Sequence, residues 1–224
     1  MIDEVHFDIE TIPSQESWVR EYYTEKTPVP TPPGNIKKQE TIDKWMAENT
    51  HEDAVDAAVA KAGFSGATNH IVAVSWAIND NEVRGSYIVD VANEHLMLKK
   101  FFDEIREIEM PIFCGHNIVG FDLRVLKQRA MVLGVKIPGN FPTDPKAWDK
   151  NVYDTMLKWD SDRQNMIKMD LLARALGIEG KGGVDGSMVY PMWKQGRFAE
   201  IASYCGDDVR MGREIYRKMT FKGL

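Results

Sequence analysis

A chain of 224 residues, 43% hydrophobic and 28% charged, has the composition of an ordinary globular protein and enough apolar side chains for a sizeable core. A net charge of -6 and a pI near 5.4 exclude a surface that grips nucleic acid throughout; they leave open a nucleic-acid enzyme whose clustered carboxylates take up cations. Two cysteines, Cys114 and Cys205, neither in a CxxC pair, exclude a disulfide scaffold, argue against a zinc site and read as buried free thiols.

The first strand is expected near Ile2 to Ile9, where Val5, Phe7 and Ile9 alternate with His6 and Asp8. Its acidic start, MIDEVHFDIE, lacks the pattern of a secretory leader. No run approaches the roughly 18 apolar residues of a membrane span, so a cytoplasmic protein without a membrane partner is expected. Residues 13 to about 68 have a different character. TPVPTPPGN (27–35) is extended or looped, and 37–62 carries Ile42, Trp45 and Met46, then Ala54, Val55, Ala58 and Val59, at helical spacing. This segment reads as an insertion or lid with one or two helices.

HIVAVSWAIND (70–80) and VRGSYIVDV (83–91) read as two further strands joined at Asp80-Asn81. A helix over 93–108 follows, with Leu96, Leu98, Phe101, Phe102, Ile105 and Ile108 as its apolar face. PIFCG (111–115) is a short buried strand and 120–133 a helix, with Leu123, Leu126 and Ala130 on one side. Then come a loop (141–150), a last strand at NVYDTM (151–156), a helix over 168–176 capped by Gly177, a Gly-rich loop (180–187) and a final helix from Phe198 to Met219. Strands that come first and then alternate with helices predict an α/β fold, a mixed sheet with helices on both faces.

Three short blocks carry the chemistry. Asp8 and Glu10 stand at i and i+2 of a strand and point to one side. Two such acids repel unless neutralised, and Mg²⁺ or Mn²⁺, which prefer carboxylate oxygen, do that well; two solvated acids on a surface strand give the same pattern. In GHNIVGFD (115–122), Asn117 sits at a strand end and Asp122 near a helix N-terminus, where an anionic side chain is favoured with or without a metal. Tyr204 and Asp208 stand at i and i+4 on the last helix and share a face, either to converge on a site or to hydrogen-bond to each other at the surface.

In this order the blocks resemble the three motifs of the DEDD superfamily of 3′–5′ exonucleases. FDIET holds the first pair of acids, Asn117-x-x-x-Phe121-Asp122 matches the second motif as in the proofreading domains of family B DNA polymerases, and Tyr204-x-x-x-Asp208 matches the third. Tyrosine four residues before the last acid marks the tyrosine subgroup; the histidine subgroup carries His at the position of Ser203. The likeness runs from Phe7 to about Tyr216 and is greatest to stand-alone exonucleases related to that proofreading domain, with DLLARALGI, KGGVDGS and EIASYCGDDV as further similar stretches. The insertion is the part it explains least.

The resemblance implies an RNase H-like core, one exonuclease domain over 1–224, and hydrolysis of single-stranded DNA from its 3′ end to nucleoside 5′-monophosphates with two divalent ions. Asp8 would bridge both ions, Glu10 and Asp208 would hold the ion carrying the attacking water, Asp122 the other, and Tyr204 would orient the water. Thr11, Ile12 and Asn117 are the substrate contacts it implies; Phe121 either packs beside the terminal bases or belongs to the core. Lys181, Lys194 and Arg197 are candidates for phosphate contacts. His116 reads as a supporting hydrogen-bonding group, Asp207 as pointing away, and Asp154 as a site support or a helix cap. Trp18, Tyr22, Tyr23 and Trp45 of the insertion would stack bases, bind a replication or repair partner, or pack locally. An exoribonuclease of the same fold and a non-catalytic nucleic-acid-binding module are the alternatives.

Overall fold

The computed structural model describes residues 2–146, 148–161, 166–180 and 185–222. Five strands form one mixed sheet in the order β3-β2-β1-β4-β5. β1 (Glu4–Pro13) is antiparallel to β2 (Asn69–Ile78), which is antiparallel to β3 (Arg84–Tyr87). On its other side β1 runs parallel to β4 (Ile112–Gly115), and β4 parallel to β5 (Val152–Asp154). β1 is longer than its sequence pattern predicts, because β2 offers pairing partners out to Pro13, opposite Asn69. β3 is shorter. Its ladder continues only as the Ile88 N–H bond to the Val72 carbonyl, after which the Asp90 carboxylate accepts the Ala92 N–H and turns the chain.

Segment 13–68 holds three helices rather than one or two: α1 (Ser17–Lys26), α2 (Gln39–Glu48) and α3 (His51–Ala62). α3 starts on a reciprocal cap in which Thr50 Oγ1 accepts the Asp53 N–H and Asp53 accepts the Thr50 N–H. α1 is a tertiary helix. It packs on α3, buries Val19, and pairs Arg20 with Asp56 at 2.5 Å. α2 buries none of its residues.

α4 (Glu94–Arg106), α5 (Asp122–Leu133), α6 (Thr155–Asp160), α7 (Met169–Ala175), α8 (Val189–Lys194) and α9 (Phe198–Met219) complete the chain. α6 and α8 are each six residues long, too short for a periodic pattern to announce them. The apolar face of α4 is Met97, Leu98, Phe101, Phe102 and Ile105; Leu96, expected on it, is 55% exposed. One residue of offset is about 100° of rotation, and the buried face through Glu94, Met97, Leu98, Phe101, Phe102 and Ile105 turns Leu96 outward.

Alternation along β1 sorts the two layers. Phe7 faces α4, with its ring 6.0 Å from Phe101, and Trp76, paired with Phe7 across the ladder, reaches the same ring at 5.4 Å. His6 faces the other way, against Tyr216 of α9. α9 therefore lies across one face and α4 on the other, as the α/β reading expects, and the even-numbered residues of β1, including Asp8 and Glu10, face α9. Among the described residues, no helix is long and apolar enough to cross a membrane.

Candidate active site

Asp8 and Glu10 reach the α9 side of the sheet by strand alternation, and helical spacing brings Asp208 to meet them. One carboxylate oxygen from each of Asp8, Glu10 and Asp208 lies within 4.8 Å of the others. Glu10 and Asp208 are buried and Asp8 is half-buried. Three acids so close, two of them out of water, form a donor set of hard oxygens that fits a divalent cation. α9 is held tightly to β1 here, where the Cys205 thiol reaches the Asp8 carbonyl at 3.3 Å. Both cysteines are buried free thiols, and burial pushes each well above the ordinary thiol range.

Tyr204 stands one turn before Asp208 and is hydrogen-bonded to it. Burial, then the negative charges of Asp208, Glu10 and Asp8, hold its hydroxyl far above the usual phenol range. It is a proton donor at neutral pH, not a base.

Asp122 is the first residue of α5 and does not cap that helix by the usual side-chain route. Its Oδ1 accepts the Ile9 N–H at 3.2 Å, between Asp8 and Glu10 in the chain. Burial, with the nearby charges of Asp154 and Asp208 adding to it, pushes its carboxyl up to about 7. Asp122 is thus tied to the strand between Asp8 and Glu10, while the carboxylates that converge are those of Asp8, Glu10 and Asp208.

The loop between β4 and α5 explains the glycines of GHNIVGFD. A Cβ on Gly115 would lie 2.9 Å from the Phe7 carbonyl and 2.4 Å from Ile118 Cγ2; one on Gly120 would lie 2.4 Å from Asn117 Oδ1. Asn117 has a left-handed backbone (φ 62), with its side chain over Gly120. The Asp154 carboxylate, 1% exposed, holds this turn. It accepts the N–H groups of Asn117 (2.9 Å) and Val119 (3.0 Å), and also those of Met156 and Leu157 at the start of α6. Of the two readings of Asp154, the helix cap is the one seen, extended across 37 residues to the loop that presents Asp122. His116 is held by Thr155 Oγ1 and the Ile167 carbonyl, a supporting position.

Beside Glu10 opens a groove of about 590 Å³. Thr11, Ile12 and Phe121 line it, as do Phe64 at the end of the insertion and Tyr190 of α8. Phe121 also packs on the core, which is the core reading of it. A bulge at Val72 of β2 lies opposite the step from Glu10 to Thr11, where the pairing skips from Ala73 to Ile71.

The remaining candidates stand elsewhere. The ammonium of Lys194 lies 4.7 Å from the ring centroid of Tyr190, and Arg197 makes a two-pronged pair with Glu200, so its guanidinium is engaged within its own helix. Asp207 pairs with Arg210, away from the cluster. Lys181 lies outside the described residues. Trp18, Tyr22, Tyr23 and Trp45 are not among the residues lining the groove, and Phe64 is the insertion aromatic that is. Sequence reading missed Phe64 because a lone Phe between two glycines has no periodic context.

Residues 65–222 match the model of the predicted 3′–5′ exonucleases related to the exonuclease domain of PolB. A DNA polymerase of Pyrococcus glycovorans is 25% identical over 146 residues, covering 59% of this chain and 19% of the relative. The DNA polymerase delta catalytic subunit of Caenorhabditis elegans is 40% identical over 53 residues, 24% of this chain and 5% of the relative. The chain therefore spans a fifth or less of these curated relatives. Among solved structures, the family B DNA polymerase of Pyrobaculum calidifontis superposes with a TM-score of 0.61 at 16% identity, over 98% of this chain and 25% of that one, a likeness of fold. With its acids gathered at one sheet end and more than two thirds of its length matched, the chain belongs to the family of predicted 3′–5′ exonucleases related to the exonuclease domain of PolB.

Proposed function

We propose that this chain is one exonuclease domain of the tyrosine subgroup, RNase H-like in its core, that removes nucleotides from the 3′ end of single-stranded DNA with bound Mg²⁺ or Mn²⁺. The observation that carries the reading is the convergence of Asp8, Glu10 and Asp208, with Glu10 lining a groove and Tyr204 hydrogen-bonded to Asp208. Asp8, Glu10 and Asp208 would hold the cation, and Asp122 would complete the charge behind them. When bound, divalent ions supply an acidified water and neutralise charge building on the phosphate. The chain's own residues do the rest. Tyr204, protonated at neutral pH, orients a water by donating to it or to the carboxylate beside it. Thr11 and Ile12 floor the groove where the terminal nucleotide lies, and Phe121 sits against it.

The test is a gel time course on 5′-labelled single-stranded DNA and RNA of one sequence, with Mg²⁺, Mn²⁺ or EDTA, for wild type and Asp8→Ala. A ladder that shortens from the 3′ end, requires metal and vanishes in Asp8→Ala is expected, with DNA the faster substrate. Faster loss of RNA moves the assignment to an exoribonuclease. Loss of neither strand removes the enzyme reading in favour of a binding module.

A further inference from the structure

Phe64 is 67% exposed, and a single exposed ring is ordinary on a protein surface. Its setting is not ordinary. It lines the same groove as Glu10, and its ring meets Phe121 edge to face, 6.3 Å apart at 68°. Its backbone is held rigidly. Arg124 donates to the Phe64 carbonyl at 3.1 Å and to the Gly120 carbonyl at 3.1 Å, coupling it to the turn that presents Phe121 and Asp122. Two residues on, Gln128 accepts the Gly66 N–H and Arg129 donates to the Gly66 carbonyl. Three side chains of α5 thus fix a segment whose aromatic ring stays in solvent. A ring on a fixed backbone, set edge-on against Phe121 and left uncovered, loses less ordering entropy when a flat partner binds.

The rest of the groove indicates which partner. Ile12, Pro13, Phe121 and Tyr190 give it an apolar lining, and Lys61 brings positive charge. Its volume is within the range of a small-molecule site and suits one or two nucleotides rather than a paired end. Phe64 also precedes the family-matched residues 65–222, so this wall is a contribution of the segment joining β1 to β2.

We propose that Phe64 is a strand-positioning residue: with Phe121 it stacks the unpaired 3′-terminal base, and it makes the helical insertion part of the substrate site. This rests on reading the acidic cluster as a 3′-end nuclease. The base enters between the insertion and α8, and its phosphate is left beside Glu10. Stacking of one base on an aromatic side chain corresponds to roughly a tenfold change in affinity.

The deciding experiment uses the Asp8→Ala protein, so that nothing is cut, and an oligonucleotide with 2-aminopurine at its 3′ end and a dye at its 5′ end. Dye anisotropy reports binding, and 2-aminopurine fluorescence reports stacking. Asp8→Ala alone is expected to quench the terminal base. Adding Phe64→Ala should abolish most of that quench at saturating protein and weaken binding about tenfold, and Phe64→Trp should restore both. In the active protein, Phe64→Ala should raise KM for a normal 3′ end about as much as an abasic 3′ end does for wild type, with no further loss when the two are combined. Quenching that is unchanged by Phe64→Ala, or no binding at all, overturns the proposal. Quenching that depends on Phe64 in a chain that degrades nothing would support the stacking role while removing the exonuclease reading, so the two failures are told apart.

Discussion

Asp208→Asn tests the acidic cluster without any substrate. Asp208 lies within 4.8 Å of both Asp8 and Glu10, and it is 6% exposed. At an effective dielectric near 20, two unit charges at that distance repel by about 3 kcal/mol. The Tyr204 hydrogen bond to Asp208 and the solvent at half-buried Asp8 offset part of this, so the net gain on removing one charge is about 2 kcal/mol. For a chain of this size that is a rise in Tm of roughly 4–8 °C in EDTA. The order should reverse on adding Mn²⁺. Wild type is expected to gain about 2.7 kcal/mol at a hundredfold excess over Kd, whereas the variant, with a donor lost, gains little. Thermal melts by circular dichroism across a Mn²⁺ titration read both effects. An Asp208→Asn protein less stable than wild type in EDTA, or one that gains as much from Mn²⁺, would refute the argument that these acids are held together for a cation.

Asp154→Asn places an amide NH₂ against backbone N–H groups that now share a carboxylate, and should cost about 1–3 kcal/mol, read as a lower urea midpoint with faster amide exchange at Asn117 and Val119; a variant of wild-type stability would show that Asp154 does not hold the turn. Glu94, fully buried, pairs with Arg129 at 2.6 Å and accepts from His70 and Ile71, so Glu94→Gln leaves a buried guanidinium uncompensated and should cost about 3–5 kcal/mol by denaturant titration. Burial alone would raise the Glu94 carboxyl, but the bonds to His70 and Arg129 outweigh it and hold it below its ordinary 4.5. Its contribution is therefore complete above that pH and is lost as the pH falls through the lower folded value, which acid unfolding of wild type and Glu94→Gln compares. His6, whose burial pushes it down to about 4 from 6.5, stays neutral in the fold while the unfolded chain takes up a proton, so stability should fall by about 3 kcal/mol between pH 6.5 and 4. His6→Phe, which keeps a ring against Tyr216, should flatten that limb in melts across the window.

Much of the site was legible in the sequence because its spacing is local. Period two puts Asp8 and Glu10 on one side of β1, and a helical turn puts Tyr204 beside Asp208; α9 runs over the residues its pattern predicts, Phe198 to Met219. Composition and strand–helix alternation predict the mixed sheet with helices on both faces. The order β3-β2-β1-β4-β5 decided the rest, since it chooses which distant groups meet. It brings the Ile9 N–H to Asp122 over 113 residues and the Asp154 carboxylate to the turn at Asn117, and it joins Glu94 to His70 and Arg129. It also lays the end of the insertion against β1, so that an isolated Phe64 becomes a wall of the groove. Periodicity along a chain reports which way a side chain points, whereas its partner is set by contacts between elements far apart in sequence, and those exist only once the chain has folded.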